Sequence, residues 1–116
     1  MTLGEQQRRF TELVGRLIEW AYDNGYELTF GEAYRTAEQA AWNAEKAGTG
    51  IVNSLHCKRL AIDLNLFRDE VYQTTTEAYK PLGEFWKSLD PLCRWGGDFV
   101  RRKDGNHFSM EWEGVK

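Results

Sequence analysis

The chain has 116 residues, a formal charge of −3, 41% hydrophobic residues and 14% aromatic residues. That length supports one hydrophobic core and not comfortably two, and the charge gives no footing for nucleic-acid binding. The one run of cations, Arg101-Arg102-Lys103, reads as a solvated loop rather than a binding patch. No apolar run reaches the length of a membrane span, and polar Met1–Arg9 lacks the apolar stretch of a secretory signal. The expectation is one domain over residues 1–116, monomeric, made in a cytoplasm, with no stable membrane insertion and no nucleic-acid partner.

Thr2-Leu-Gly-Glu5 has the form of a capping box. Phe10, Leu13, Val14, Leu17, Ile18 and Ala21 follow at helical spacing, and Asn24-Gly25 is a stop. Tyr26–Phe30 alternates as a strand and leads through Gly31 into Glu32-Ala-Tyr-Arg35-Thr36. A second capping box, Thr36–Gln39, opens an Ala-rich helix to about Ala47, ended by Gly48-Thr-Gly50, and Ile51–Leu55 carries the chain to His56.

Leu60–Phe67 reads as a strand. Leu60, Ile62, Leu64 and Leu66 share its core face; Ala61, Asp63 and Asn65 share the face turned away from the core. Arg68–Thr76 is polar and reads as a loop or hairpin, with too few oxygen ligands for calcium. Pro81 is expected in the first turn of a helix bearing Leu82, Phe85, Trp86 and Leu89, closed by Asp90-Pro91. Trp95-Gly-Gly97 is a turn whose glycines permit unusual dihedrals or close backbone approach. The last strand places Phe108, Met110 and Trp112 on one face and His107, Ser109 and Glu111 on the other. The fold class expected is a small α+β domain, an antiparallel sheet with helices packed on it and the site on the sheet.

The two histidines of the chain, His56 and His107, both lie beside strands with an apolar opposite face. Together with Asp63 they could bind Zn²⁺ and leave a fourth position to water. Two histidines and a carboxylate also describe an Fe(II) triad, but those sites use a close His-x-Asp pair that this chain lacks, so zinc is favoured. Asp104, three residues before His107, is spaced to take a proton from that water. Arg35, at a strand-to-helix junction, is either an ion-pairing arginine or a fork for a substrate carboxylate. Each residue also has an ordinary alternative: a polar surface histidine, a strand aspartate, an Asp104-Gly105 turn. Cys57 and Cys93 do not make a disulfide framework, and Cys57, although next to His56, reads as a free thiol rather than a ligand.

Ser54-Leu-His56 through Asp63 has the form Ser-x-His-x6-Asp. Asp104-Gly-Asn-His107-Phe108 follows, with Trp95-Gly-Gly97 ahead of it and Ala33–Gln39 upstream. In this order the motifs resemble the zinc D-alanyl-D-alanine carboxypeptidases and L-alanyl-D-glutamate endopeptidases that act on peptidoglycan, in particular the bacteriophage endolysin branch. The resemblance runs from about Glu32 to Trp112. It implies that His56, Asp63 and His107 hold Zn²⁺, that Asp104 is the base and then the acid for the leaving amine, that Arg35 binds or polarises a substrate oxygen, and that Ser54 contacts substrate. Many relatives carry a glycine where Arg59 or Leu60 stands, and an acid where Ser109 stands, with Glu111 two further on. The activity implied is cleavage of the peptidoglycan stem peptide at L-alanyl-D-glutamate by a phage or prophage endolysin. The alternatives are a D-alanyl-D-alanine carboxypeptidase and a non-catalytic, zinc-containing cell-wall-binding module. An enzyme of this kind would be made in the host cytoplasm and reach the wall after the membrane is permeabilised.

Overall fold

The computed structural model describes residues 1–47 and 54–116. The expected helix stop at Gly48-Thr-Gly50 and the start of the Ile51–Leu55 lead-in lie outside the described residues. Helix α1, Leu3–Asp23, begins with the reciprocal capping box of Thr2 and Glu5 and buries Phe10, Leu13, Val14, Leu17 and Ala21. It ends at Asn24, and Gly25 takes a left-handed φ of 83°, which glycine adopts without a Cβ penalty. Strand β1, Glu27–Phe30, follows, then α2, Ala37–Trp42, continued by a π-helical turn over Asn43–Ala47. Only half of the second capping box forms. Thr36 Oγ1 accepts from Gln39 N, while the Gln39 side chain donates forward to Asn43.

The sheet is antiparallel throughout, in the order β1-β2-β5-β4, with β2 spanning Ala61–Arg68, β4 Cys93–Trp95 and β5 His107–Met110. A two-residue strand β3, Val71–Tyr72, pairs with the end of β2. The polar Arg68–Thr76 segment therefore contains a hairpin, turned by Asp69 and Glu70 at φ of 52° and 66°, the sign that tight hairpin turns require. Strand β4 had no alternation signal, because three residues are too few to show one.

Helix α3 spans Thr76–Leu89 and is capped by Thr75. The expectation that Pro81 lies in the first turn is corrected: the threonine run supplies the cap, so the helix starts five residues earlier, at Thr76. Pro81 then leaves the Glu77 carbonyl without its intrahelical donor. Tyr79, Leu82 and Trp86 face the core. Trp86 meets Phe10 and Phe108 edge to face, at 5.6 and 6.2 Å. Its Nε1 donates to the carbonyls of Arg94 and Ser109, tying helix to sheet.

Register sorts the side chains. Ile62 lies opposite Phe108 and Phe108 opposite Trp95, so these share the helix-covered face with Leu64 and Leu66. Asp63 lies opposite His107 and Ala61 opposite Ser109, on the other face. That second face, turned away from the helix-covered core, is itself covered: Ala61, His107 and Ser109 are buried and Asp63 is half-buried. Among the described residues, Glu32–Arg35 and the turn carrying His56 adjoin it, with His56 Nε2 3.4 Å from Asp63 Oδ1. The Arg35 amide donates to the His56 carbonyl, and the Asp63 amide donates to the Glu32 carbonyl.

Gly96 is a point of close approach. A Cβ there would stand 2.0 Å from the Asp104 carbonyl oxygen and 2.8 Å from His107 Cβ. Gly96→Ala is therefore expected to destabilise the fold by about 2–3 kcal/mol, as overpacking does, and to shift the Asp104–His107 turn. Urea denaturation and His107 chemical shifts in the metal-free chain check both effects.

Candidate metal centre

Asp63 and His107 meet because they are a directly opposed pair on neighbouring antiparallel strands. His56 comes from outside the sheet, on a 3-10 turn over Leu55–Lys58. Ser54 caps that turn, its hydroxyl accepting from the His56 amide at 3.1 Å. Arg59 ends it at a left-handed φ of 56°. This conformation suits glycine, so an arginine is held here against a Cβ penalty. Here the Arg59 guanidinium lies 4.0 Å over the Tyr34 ring.

The three side chains converge. His56 Nε2 and His107 Nδ1 each lie 3.4 Å from Asp63 Oδ1, and the three ligand atoms all fall within 4.8 Å of one another. His56 Nδ1 lies 3.0 Å from the Ala33 carbonyl. A carbonyl only accepts, so Nδ1 carries the proton and Nε2 presents its lone pair to the centre. Asp63 Oδ1 is buried and makes no hydrogen bond among the described residues. Ligands on adjacent corners of a tetrahedron with bonds of about 2.0–2.1 Å lie about 3.3–3.4 Å apart. Two of the three separations here have that value, so the donor set fits the zinc that the resemblance implies.

The charges are tuned against each other. Burial alone would raise the Asp63 pKa, but His107 and His56 outweigh it and hold the carboxyl at about 2. Burial would lower the His56 pKa, yet Asp63, the Ala33 carbonyl and Glu32 together raise it. Asp104 is pushed upward, first by burial and then by the Asp63 charge. Its Oδ2 lies 4.0 Å from His107 Nδ1. A carboxylate displaced upward holds a proton more readily than an ordinary aspartate does.

The Trp95-Gly-Gly97 turn holds Asp104 in place. The Gly96 carbonyl accepts from the Asp104 amide at 2.9 Å, and Trp95 Nε1 donates to the Gly105 carbonyl at 2.7 Å. The glycines thus serve close approach, and neither Gly96 nor Gly97 has a positive φ.

Arg35 is an ion-pairing arginine. Its Nε lies 3.0 and 3.1 Å from the two Glu32 oxygens, and Nη2 also bonds Glu32. Glu32 was not singled out in the sequence, although its place three residues before Arg35 was a weak signal. It does two things: it grips Arg35 and stands 3.8 Å from His56 Nδ1. Arg35, Ser54, His56, Asp63, Asp104 and His107 all line one cleft of about 330 Å³. Within it Ser54 is a buried cap of the His56 turn. Cys57 lies outside the ligand cluster, its Sγ 4.0 Å from the Thr36 carbonyl. Both cysteines are free, and burial pushes the Cys93 thiol up to about 12.

Comparison with known proteins places this architecture. Residues 47–110, more than half the chain, match the family described as D-alanyl-D-alanine carboxypeptidase. An L-alanyl-D-glutamate peptidase of Listeria phage A118 is 25% identical over 100 residues, which is 85% of this chain but 36% of the relative. The chain thus spans about a third of the length of the curated relative it matches. The Serratia marcescens L-Ala D-Glu endopeptidase ChiX shares the fold, with a TM-score of 0.70 at 20% identity, over 87% of this chain and 79% of its own. So does the vancomycin resistance D,D-pentapeptidase VanY of a VanB-type cassette, solved with Zn(II), with a TM-score of 0.58 at 19% identity, over 88% of this chain and 70% of its own. The matched span takes in His56 and Asp63 and runs through His107 to the end of β5, and this chain belongs to the D-alanyl-D-alanine carboxypeptidase family.

Proposed function

We propose that this chain is a zinc peptidase that cuts the peptidoglycan stem peptide between L-alanine and D-glutamate, acting on the cell wall as a single catalytic domain of a phage or prophage lysin. The observation that carries the proposal is the convergence of His56 Nε2, Asp63 Oδ1 and His107 Nδ1 in a cleft that also holds the Asp104 carboxylate. The bond is argued from the names of the phage relative and of ChiX. A D-alanyl-D-alanine carboxypeptidase is the second reading, favoured by the description of the matched family.

His56, Asp63 and His107 would hold the zinc, which when bound would polarise the scissile carbonyl and offset the charge growing on its oxygen. Asp104 accepts the proton of the attacking water and passes it to the departing amine. Arg35, oriented by Glu32, donates to a substrate oxygen. Ser54 holds the His56 turn and borders the bound peptide.

The purified protein is expected to carry one zinc ion, and His56→Ala or His107→Ala to lose it. Elemental analysis finding no stoichiometric zinc in the wild type would reject the assignment. Proton competition adds a sign. The His56 pKa is raised above the ordinary 6.5 in the metal-free chain, so a proton competes with metal even slightly above that value. Apparent zinc affinity should fall as pH falls through this range and level off above it. Competition with a chromophoric chelator between about pH 5.5 and 8.5, spanning the histidine range, reads the trend; a flat profile would contradict ligation by His56.

Asp104→Asn is expected to retain zinc and lose at least ~10²-fold in turnover, the scale of general-base catalysis. Wild-type turnover in that variant would remove Asp104 from the chemistry. Mass spectrometry of digested peptidoglycan decides the bond. Fragments beginning at D-glutamate support the endopeptidase, whereas release of free D-alanine selects the carboxypeptidase.

A further inference from the structure

The cleft that holds the metal ligands is also lined by Arg101, Arg102 and Lys116. Read along the sequence, the Arg101–Lys103 run is a solvated loop, and its residues are indeed exposed. Its placement is not that of a free loop. The Phe99 amide and the Asp104 amide both donate to one acceptor, the Gly96 carbonyl, at 3.1 and 2.9 Å. The loop between them is pinned at both ends beside His107, and its cations stand at the mouth of the site. Among the described residues neither Arg101 nor Arg102 makes an ion pair with a carboxylate, and of these two only Arg102 is near enough to Asp104 for its charge to act on that carboxyl. Of the other cations lining the cleft, Arg35 is charge-balanced by Glu32. A bound dication would balance Asp63 and Asp104, leaving the mouth with an excess of positive charge in a chain whose net charge is −3.

We infer that Arg101 and Arg102 form an anion-recognition rim that holds the carboxylates of the acidic, leaving half of the substrate. This rests on the peptidase reading above, in which the departing fragment begins with a glutamyl residue bearing a free α-carboxylate. A guanidinium fork matches a carboxylate in two parallel hydrogen bonds and loses little by staying hydrated on its outer edge. The rim adds charge selectivity that the ligands and Asp104 do not supply: it favours stem peptides with free carboxylates over amidated ones. Part of the effect is steering, so it weakens with salt.

The test uses the zinc-loaded protein and a leaving-half probe that contains no L-alanyl bond to cut, γ-D-glutamyl-L-lysine, as the free acid and as the bis-amide. Calorimetric titration is expected to show the acid binding about 5- to 10-fold more tightly, the scale of one or two partly exposed forked pairs. Arg101→Gln with Arg102→Gln should bring acid and amide to parity, and Arg101→Lys with Arg102→Lys should keep part of the preference. Zinc content and near-UV dichroism confirm that the variants are folded. Absence of an acid preference in the wild type, or an unchanged preference in the double Gln variant, overturns the rim. Hydrolysis of intact peptidoglycan is scored separately: failure to cut rejects the peptidase reading, while the acid-over-amide ratio still decides the rim.

Discussion

Asp63 stands directly across from His107 in the antiparallel pairing of β2 with β5, and the site depends on that register. Side chains alternate faces along a strand, so a slip of one residue would turn a ligand into the helix-covered core and break the site. The slip is forbidden by what lies behind it. Ile62, Leu64, Leu66, Phe108 and Met110 are all buried, and moving β2 against β5 by one residue would drive polar groups among them at several kcal/mol each. The hydrophobic face thus fixes the geometry of the polar one. Trp86, packed on Phe10 and Phe108 and bonded to two sheet carbonyls, locks the same register from the helix side.

His56 and Asp104 are brought to the cleft by short local devices. Ser54 and Arg59 bound the turn that carries His56. Ala33 fixes which nitrogen of that ring holds the proton. Gly96 and Trp95 clamp the turn that carries Asp104. Each device uses backbone hydrogen bonds rather than long flexible side chains, so little conformational entropy is spent at the centre itself. Burial then sharpens the electrostatics. The same partial removal from water that pushes Asp104 upward makes the imidazoles strong enough partners to hold Asp63 at about 2.

Charge around the cleft is divided by neighbour rather than by residue type. Arg35 is neutralised by Glu32. The arginines of the 99–104 loop make no such ion pair among the described residues and line the same cleft as His56, Asp63 and His107. A linear charge run says how many cations are present; which acids reach them is a property of the folded surface.

Much of the architecture could be read from order and spacing alone. The capping box at Thr2, the stripe of α1, the stop at Asn24-Gly25 and the alternation of β2 are local, and propensity and pattern act over a few residues. The candidate ligands could be named too, because His56, Asp63 and His107 sit in ordered motifs that few other roles require together. The sequence by itself therefore determined which groups could bind a metal and which elements would carry them. Only the tertiary structure decided that they meet, that the polar face of the sheet is covered rather than open, that Glu32 takes up Arg35, and that a basic loop borders the cleft. Those facts depend on pairing between segments distant in the chain, and a period of two names a face without saying what will lie against it.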